Sequence, residues 1–146
     1  MTLVPLKPKE FFNEKTDCKI PFFVTPIMAG FPSPADDFLE QRVSADELLI
    51  ENPASTYFFK VQGDSMEKSG IMHNDIIVVD SAMKAFNNAV VVASVDNEFT
   101  LKRIIKKGGR YFLKAESFDD RYKTIQNTNF RVWGVCTYVI HTLKKK

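Results

Sequence analysis

Beyond Pro53 the chain has no proline. All seven (Pro5, Pro8, Pro21, Pro26, Pro32, Pro34 and Pro53) precede or occupy that position. Proline removes a backbone donor and fixes φ, so the early region cannot hold long uninterrupted ladders, whereas the later region can. Cysteine is scarcer still: Cys18 and Cys136 are the two present, far apart and without zinc-site spacing. His73 and His141 are equally isolated, so no metal and no cofactor is expected. No apolar run reaches membrane-spanning length. The opening MTLVPLKPKEFFNEK breaks with charge and proline the apolar core that a signal peptide needs. A cytoplasmic protein with reduced thiols and no membrane partner is therefore expected. A charge excess is also lacking. The net charge of +2 is too small to argue for a nucleic-acid binder, and Lys144–Lys146 reads as a solvated tail.

What is present belongs to an ordered globular chain. Its 146 residues are 45% hydrophobic and 26% charged, enough for one domain with a real core. Residues 1–32 show no sustained period of 3.6 or 2, and read as an extended N-terminal arm with scattered apolar side chains. Ser33-Pro34-Ala35-Asp36 suggests a short capped helix, and Ser44-Ala45-Asp46-Glu47 repeats the device before Leu48-Leu49-Ile50. From Tyr57 onward strands dominate: Tyr57–Val61, Asp75–Val79, Ala89–Val95, Glu98–Ile105, Arg110–Lys114 and Phe130–His141. Asp96-Asn97 and Gly108-Gly109 mark hairpins. Short strands at close spacing without intervening helices predict a mostly β domain over residues 33–146, a curved, barrel-like antiparallel sheet.

Gly63-Asp64-Ser65-Met66 is the first segment whose residues suggest chemistry rather than packing. Glycine beside serine on a sharp turn lets the hydroxyl protrude while neighbouring backbone N–H groups converge, an arrangement suited to a developing oxyanion. Taken alone, the tetrapeptide more commonly means a plain Gly-Asp-Ser turn. The serine needs a base, and neither histidine sits in a triad-like context. A lysine can serve if burial lowers its pKa toward neutrality. Lys102 is the candidate: in Glu98-Phe99-Thr100-Leu101-Lys102, alternation places Thr100 and Lys102 on one face and Phe99 and Leu101 on the other. A solvent-facing strand lysine is the alternative reading. Met66 is expected to pack under the turn, and Asp75 and Asp80 to serve turns or caps.

Five segments in order, AGFPSPADDFLEQR, ASTYFFKVQGDSM, GIMHNDIIVVDSA, VDNEFTLKRI and RVWGVCTYVIH, resemble the UmuD branch of the LexA/UmuD self-cleaving Ser–Lys proteases. The resemblance covers residues 29–141 or so, with Ser65 and Lys102 lying 37 positions apart. It implies Ser65 as nucleophile, Lys102 as general base, the Asp64 and Ser65 N–H groups as oxyanion donors, and Ala29-Gly30 as the scissile pair. It further implies a homodimer, self-cleavage stimulated by a RecA filament on single-stranded DNA, and a cleaved product that assists a Y-family translesion polymerase of the UmuC type. Asn87-Asn88-Ala89 departs from the family's usual turn, as does Phe118–Lys123 from a loop that often carries proline.

Three other readings fit less well. A polymerase-accessory or RecA-binding module that no longer cuts would not need Ser65, Lys102 and Ala29-Gly30 together. A repressor would need a helix-turn-helix domain, for which about 30 residues ahead of the core are too few, so sequence-specific DNA binding is not expected. A signal peptidase would need a membrane anchor.

Overall fold

The computed structural model describes residues 2–5, 18–23, 39–119, 121–122, 124–126 and 129–144. Two compact units are present, Met1–Pro8 with Asn52–Lys146, and Lys9–Glu51. Ala29-Gly30 and the expected cap at Ser33 lie outside the described residues.

In the smaller unit, β2 (Ile20–Phe23) pairs antiparallel with β3 (Leu39–Val43), and α1 (Ala45–Leu49) follows. Ser44 caps α1, its hydroxyl accepting the Glu47 N–H at 3.1 Å, with Asp46 and Glu47 in the first turn where they complement the helix dipole. The helix is five residues long and ends before Pro53 is reached.

The larger unit is one antiparallel sheet in the order β1-β4-β5-β10-β6-β7-β8-β9, curved in the manner of a half-barrel. Its strands are β1 (Thr2–Pro5), β4 (Thr56–Gln62), β5 (Ile76–Asp80), β6 (Val90–Val95), β7 (Glu98–Lys107), β8 (Arg110–Lys114), β9 (Ile125–Gln126) and β10 (Phe130–Ile140). The hairpin signals act as expected from their chemistry. Asp96 and Asn97 both take positive φ, as do Gly108 and Gly109, so both connections have the handedness that matches strand twist. Asn88 also has positive φ (72°) and makes the turn into β6.

Strand alternation sends neighbouring residues to two apolar clusters. Val92 and Leu101 join Leu3, Phe59, Val61, Met66, Ile77 and Val79, while Val91, Ala93 and Ile104 join Leu113 and Val135. The long β10 shifts register between Val132 and Gly134 against β6, and between Cys136 and Tyr138 against β5. Such bulges bend a strand and increase its twist, curving the sheet. A Cβ at Gly134 would lie 2.9 Å from Val79 Cγ1 and 3.0 Å from the Asp80 carbonyl oxygen, so only glycine fits there.

Thr2–Pro5, inside the stretch expected to be an arm, forms the edge strand beside β4, with Leu3 buried. Its short length and lack of alternation left no local signal. Asp75 and Asp80 both bond backbone at turns: Asp75 accepts the Met72 N–H and Asp80 the Ala82 N–H. Asp75 also meets His141 Nδ1, and Asp80 takes side-chain bonds from Asn52 and Ser55.

Candidate active site

The serine turn is a loop closed at its neck and pinned at its far side. At the neck, Val61 N–H donates to the Asp75 carbonyl and Asn74 N–H to the Val61 carbonyl, each at 2.8 Å. Gly63 takes φ 101°, a conformation that favours glycine, and its N–H donates to His73 Nδ1 at 3.0 Å. Across the loop, the Ser65 carbonyl accepts the Glu116 N–H at 2.7 Å, and the Lys68 N–H donates to the Glu116 carbonyl at 2.8 Å. Glu67 accepts the Phe118 N–H, and Arg103 bonds the Glu116 carboxylate, the Ser69 hydroxyl and the Asn88 carbonyl. Met66 is fully buried beneath the turn. Ser65 therefore stands on backbone held from both sides.

Lys102 lies on β7 opposite Val91 of β6 and shares that residue's face, which Ile104 and Leu113 keep apolar. Its side chain is buried, and Nζ lies 3.1 Å from Ser65 Oγ, itself wholly buried. Nζ also lies 3.1 Å from Thr100 Oγ1 and 3.3 Å from the Leu101 carbonyl oxygen. Burial lowers the Lys102 pKa to about 8, because removing the amine from water penalises its charged form. A neutral amine has two N–H donors and one lone pair. With Thr100 and the Leu101 carbonyl taking the donors, the lone pair is left for the Ser65 hydroxyl. The arrangement can accept a proton from that hydroxyl.

Among the described residues, the Asp64 and Ser65 N–H groups enter no hydrogen bond. An open cleft of about 720 Å³ reaches Lys102 and is lined by Leu3, Phe99, Thr100, Tyr122 and Ile125 among others. The other reactive side chain in the larger unit is disarmed: the Cys136 thiol is pushed up to about 12, mainly by burial. Among the described residues no three His, Cys, Asp or Glu side chains converge as a metal site, and no helix is long and apolar enough to cross a membrane.

Of the residues singled out in the sequence, Ser65, Lys102 and Asp64 come together; Ala29 and Gly30 lie outside the described residues. Sequence reading missed Tyr122, whose ring lies over Lys102 Nζ, and the Glu116 backbone anchor. It also gave Thr100 no role, although its position two before the lysine on one strand face was a usable signal.

A buried hydroxyl against a buried, weakly basic amine on a mostly β domain is the arrangement of Ser–Lys peptidases. The model of the Peptidase S24-like family matches residues 21–137, and the chain belongs to that family, the LexA/UmuD group of self-cleaving proteases. It is 37% identical over 125 residues to Protein ImpA of Escherichia coli, covering 86% of each chain. To Protein SamA of Salmonella typhimurium it is 35% identical over 129 residues, covering 88% of this chain and 90% of the relative. To the LexA repressor of Shewanella halifaxensis it is 32% identical over 132 residues, covering 88% of this chain but 62% of the repressor.

Proposed function

We propose that the protein is a UmuD-type serine endopeptidase that cuts its own chain between Ala29 and Gly30. The observation that carries this reading is the 3.1 Å approach of Lys102 Nζ to Ser65 Oγ, both buried, in a Peptidase S24-like chain. Ser65 Oγ attacks the Ala29 carbonyl carbon and its proton passes to neutral Lys102. The Asp64 and Ser65 N–H groups hold the oxyanion; removal of one such donor typically costs about 10²–10³ in rate. The lysine ammonium then protonates the departing Gly30 nitrogen, leaving an ester between Ser65 and Ala29. Water, deprotonated by Lys102, hydrolyses that ester and regenerates the hydroxyl. The products are a fragment ending in the Ala29 carboxylate and a chain beginning at Gly30. Small residues at the cut let the backbone approach a buried site closely.

Resemblance to UmuD extends the proposal. Residues 1–32, which begin with the edge strand Thr2–Pro5 beside β4, are the arm that carries the cut, and residues 33–146 the protease and dimerisation body. A RecA filament on single-stranded DNA stimulates cleavage in the cytoplasm, and the shortened homodimer serves a UmuC-type Y-family polymerase. Removing the arm acts as a switch by uncovering surface.

Overnight incubation of pure protein at about pH 10, where a lysine of lowered pKa is neutral, tests this beside Ser65→Ala, with intact mass as the readout. A species starting at Gly30 in the wild type alone supports the protease and its site together. No cleavage in either, also with RecA, nucleotide analogue and single-stranded DNA present, moves the reading to a non-cleaving accessory module.

A further inference from the structure

Tyr122 touches both sides of the serine. Its ring lies over Lys102 Nζ, 5.6 Å from the centroid, and its hydroxyl donates to Asp64 Oδ1, on the residue that precedes Ser65. We propose that Tyr122 is a positioning residue that holds the Asp64 carboxylate off Lys102, so that the amine meets neutral partners alone and remains able to act as a base. The inference rests on the reading of Ser65 and Lys102 as nucleophile and base.

A buried amine becomes a base only while no anion stabilises its charged form; a carboxylate within about 4–6 Å raises a lysine pKa. The contacts of Lys102 Nζ fit that requirement. They are a serine hydroxyl, a threonine hydroxyl and a backbone carbonyl, and among the described residues Lys102 enters no ion pair. Burial is accordingly the cause of its lowered pKa. Asp64 is the acid tethered to the serine by a single peptide bond, and its carboxylate is taken by the phenol.

Among the described residues, the other charged groups of the cleft are Asp96, Glu98 and Arg121. Arg121 is bound by Asp119, and neither Asp96 nor Glu98 pairs with Lys102. The phenol is well suited to its task. Its pKa is raised, first by the hydrogen bond to Asp64, so it stays a donor across the alkaline range in which the amine loses its proton. Removing the phenol oxygen would leave the carboxylate without its donor; Arg121, which feels the Asp64 charge, is already held by Asp119, and Lys102 lies over the face of the same ring.

The test reads Lys102 directly. Carbon-13-labelled lysine is titrated by NMR in a Ser65→Ala background, which keeps the chain whole, with Lys102→Arg assigning the resonance. Tyr122→Phe keeps the ring and loses the hydroxyl. It is expected to raise the Lys102 midpoint by about one unit, a roughly tenfold loss of neutral amine near pH 7. Adding Asp64→Asn to Tyr122→Phe should return the midpoint. With Ser65 restored, Tyr122→Phe should cleave about tenfold more slowly near neutral pH and recover at alkaline pH. A midpoint unmoved by Tyr122→Phe overturns the proposal, as does a raised midpoint that Asp64→Asn fails to restore. A wild type that never cleaves, yet whose titration shifts as stated, sinks the protease reading and leaves the role of Tyr122 standing.

Discussion

Strand β7 carries a lysine in its middle and two at its end, and they teach opposite lessons. Lys102 is buried between β6 and β8, whereas Lys106 and Lys107 are exposed beside the Gly108-Gly109 turn. An aromatic ring does not separate them: Tyr122 lies 5.6 Å from Lys102 Nζ, and Tyr111 lies 5.8 Å from Lys106 Nζ. The difference lies in apolar neighbours and in the serine turn that meets the strand at Lys102 and Arg103. Residue type supplies an amine at all three positions; burial makes one of them a candidate base.

The comparison breaks most visibly if Lys102 loses the ability to be neutral. Guanidinium stays protonated throughout the accessible range, so Lys102→Arg should lower self-cleavage by about 10³-fold or more. In the wild type, cleavage without an activator should climb about tenfold per pH unit up to about 8, the lowered pKa of Lys102, and then level off. Rates from intact-mass time courses between pH 6 and 10 check both. Full activity in the arginine variant, or a flat wild-type profile, removes Lys102 from the mechanism.

A smaller effect concerns stability and sharpens the same contrast. The Lys102 pKa falls from 10.5 unfolded to about 8 folded. Between those values the unfolded chain binds more protons than the folded one, so stability rises with pH across that window, and below about pH 8 the penalty of burying the charge is present in full. Each unit is worth about 1.4 kcal/mol. The lost hydrogen bond to Thr100 offsets part of that, about 1 kcal/mol. Lys102→Met, made in the Ser65→Ala background, should therefore be more stable at pH 7 by about 1–3 kcal/mol. It should also lose the rise between about pH 8 and 10.5. Urea unfolding at pH 7 and 10 measures this; a less stable methionine variant would show that the amine contributes to the fold.

Much of this site was legible locally. The strand that holds Lys102, its alternation against Leu101, the hairpin at Asp96-Asn97 and the glycine before Ser65 are all properties of neighbouring residues, which short-range steric rules govern. What escaped was long-range. Tyr122 reaches Asp64 across 58 positions, and the Ser65 carbonyl is anchored by Glu116 from another segment. Neither contact leaves a periodic trace. The pairing of β2 with β3 was hidden for a related reason: its strands are short, Pro21 sits inside one of them, and their register slips between Phe22 and Phe23. Lys102 itself carried two readings until the apolar face around it was known, because alternation tells which face a lysine takes but not what covers that face.

The smallest expected effect lies at the exposed end of β7. Lys107 stands directly across from Arg110 in the β7–β8 register, and like charges directly opposite each other on a sheet repel. The turn between them owes its shape to Gly108 and Gly109, both at positive φ, and not to the charged pair. Lys107→Ala should therefore change the urea midpoint by no more than the equivalent of about 0.5 kcal/mol, in the stabilising direction. The self-cleavage rate at pH 9 should not move, since Lys107 is solvated and five positions along the strand from Lys102. A tenfold fall in cleavage would mean that a solvated lysine at the tip governs the buried one, and the contrast between the middle and the end of β7 would no longer explain where the chemistry resides.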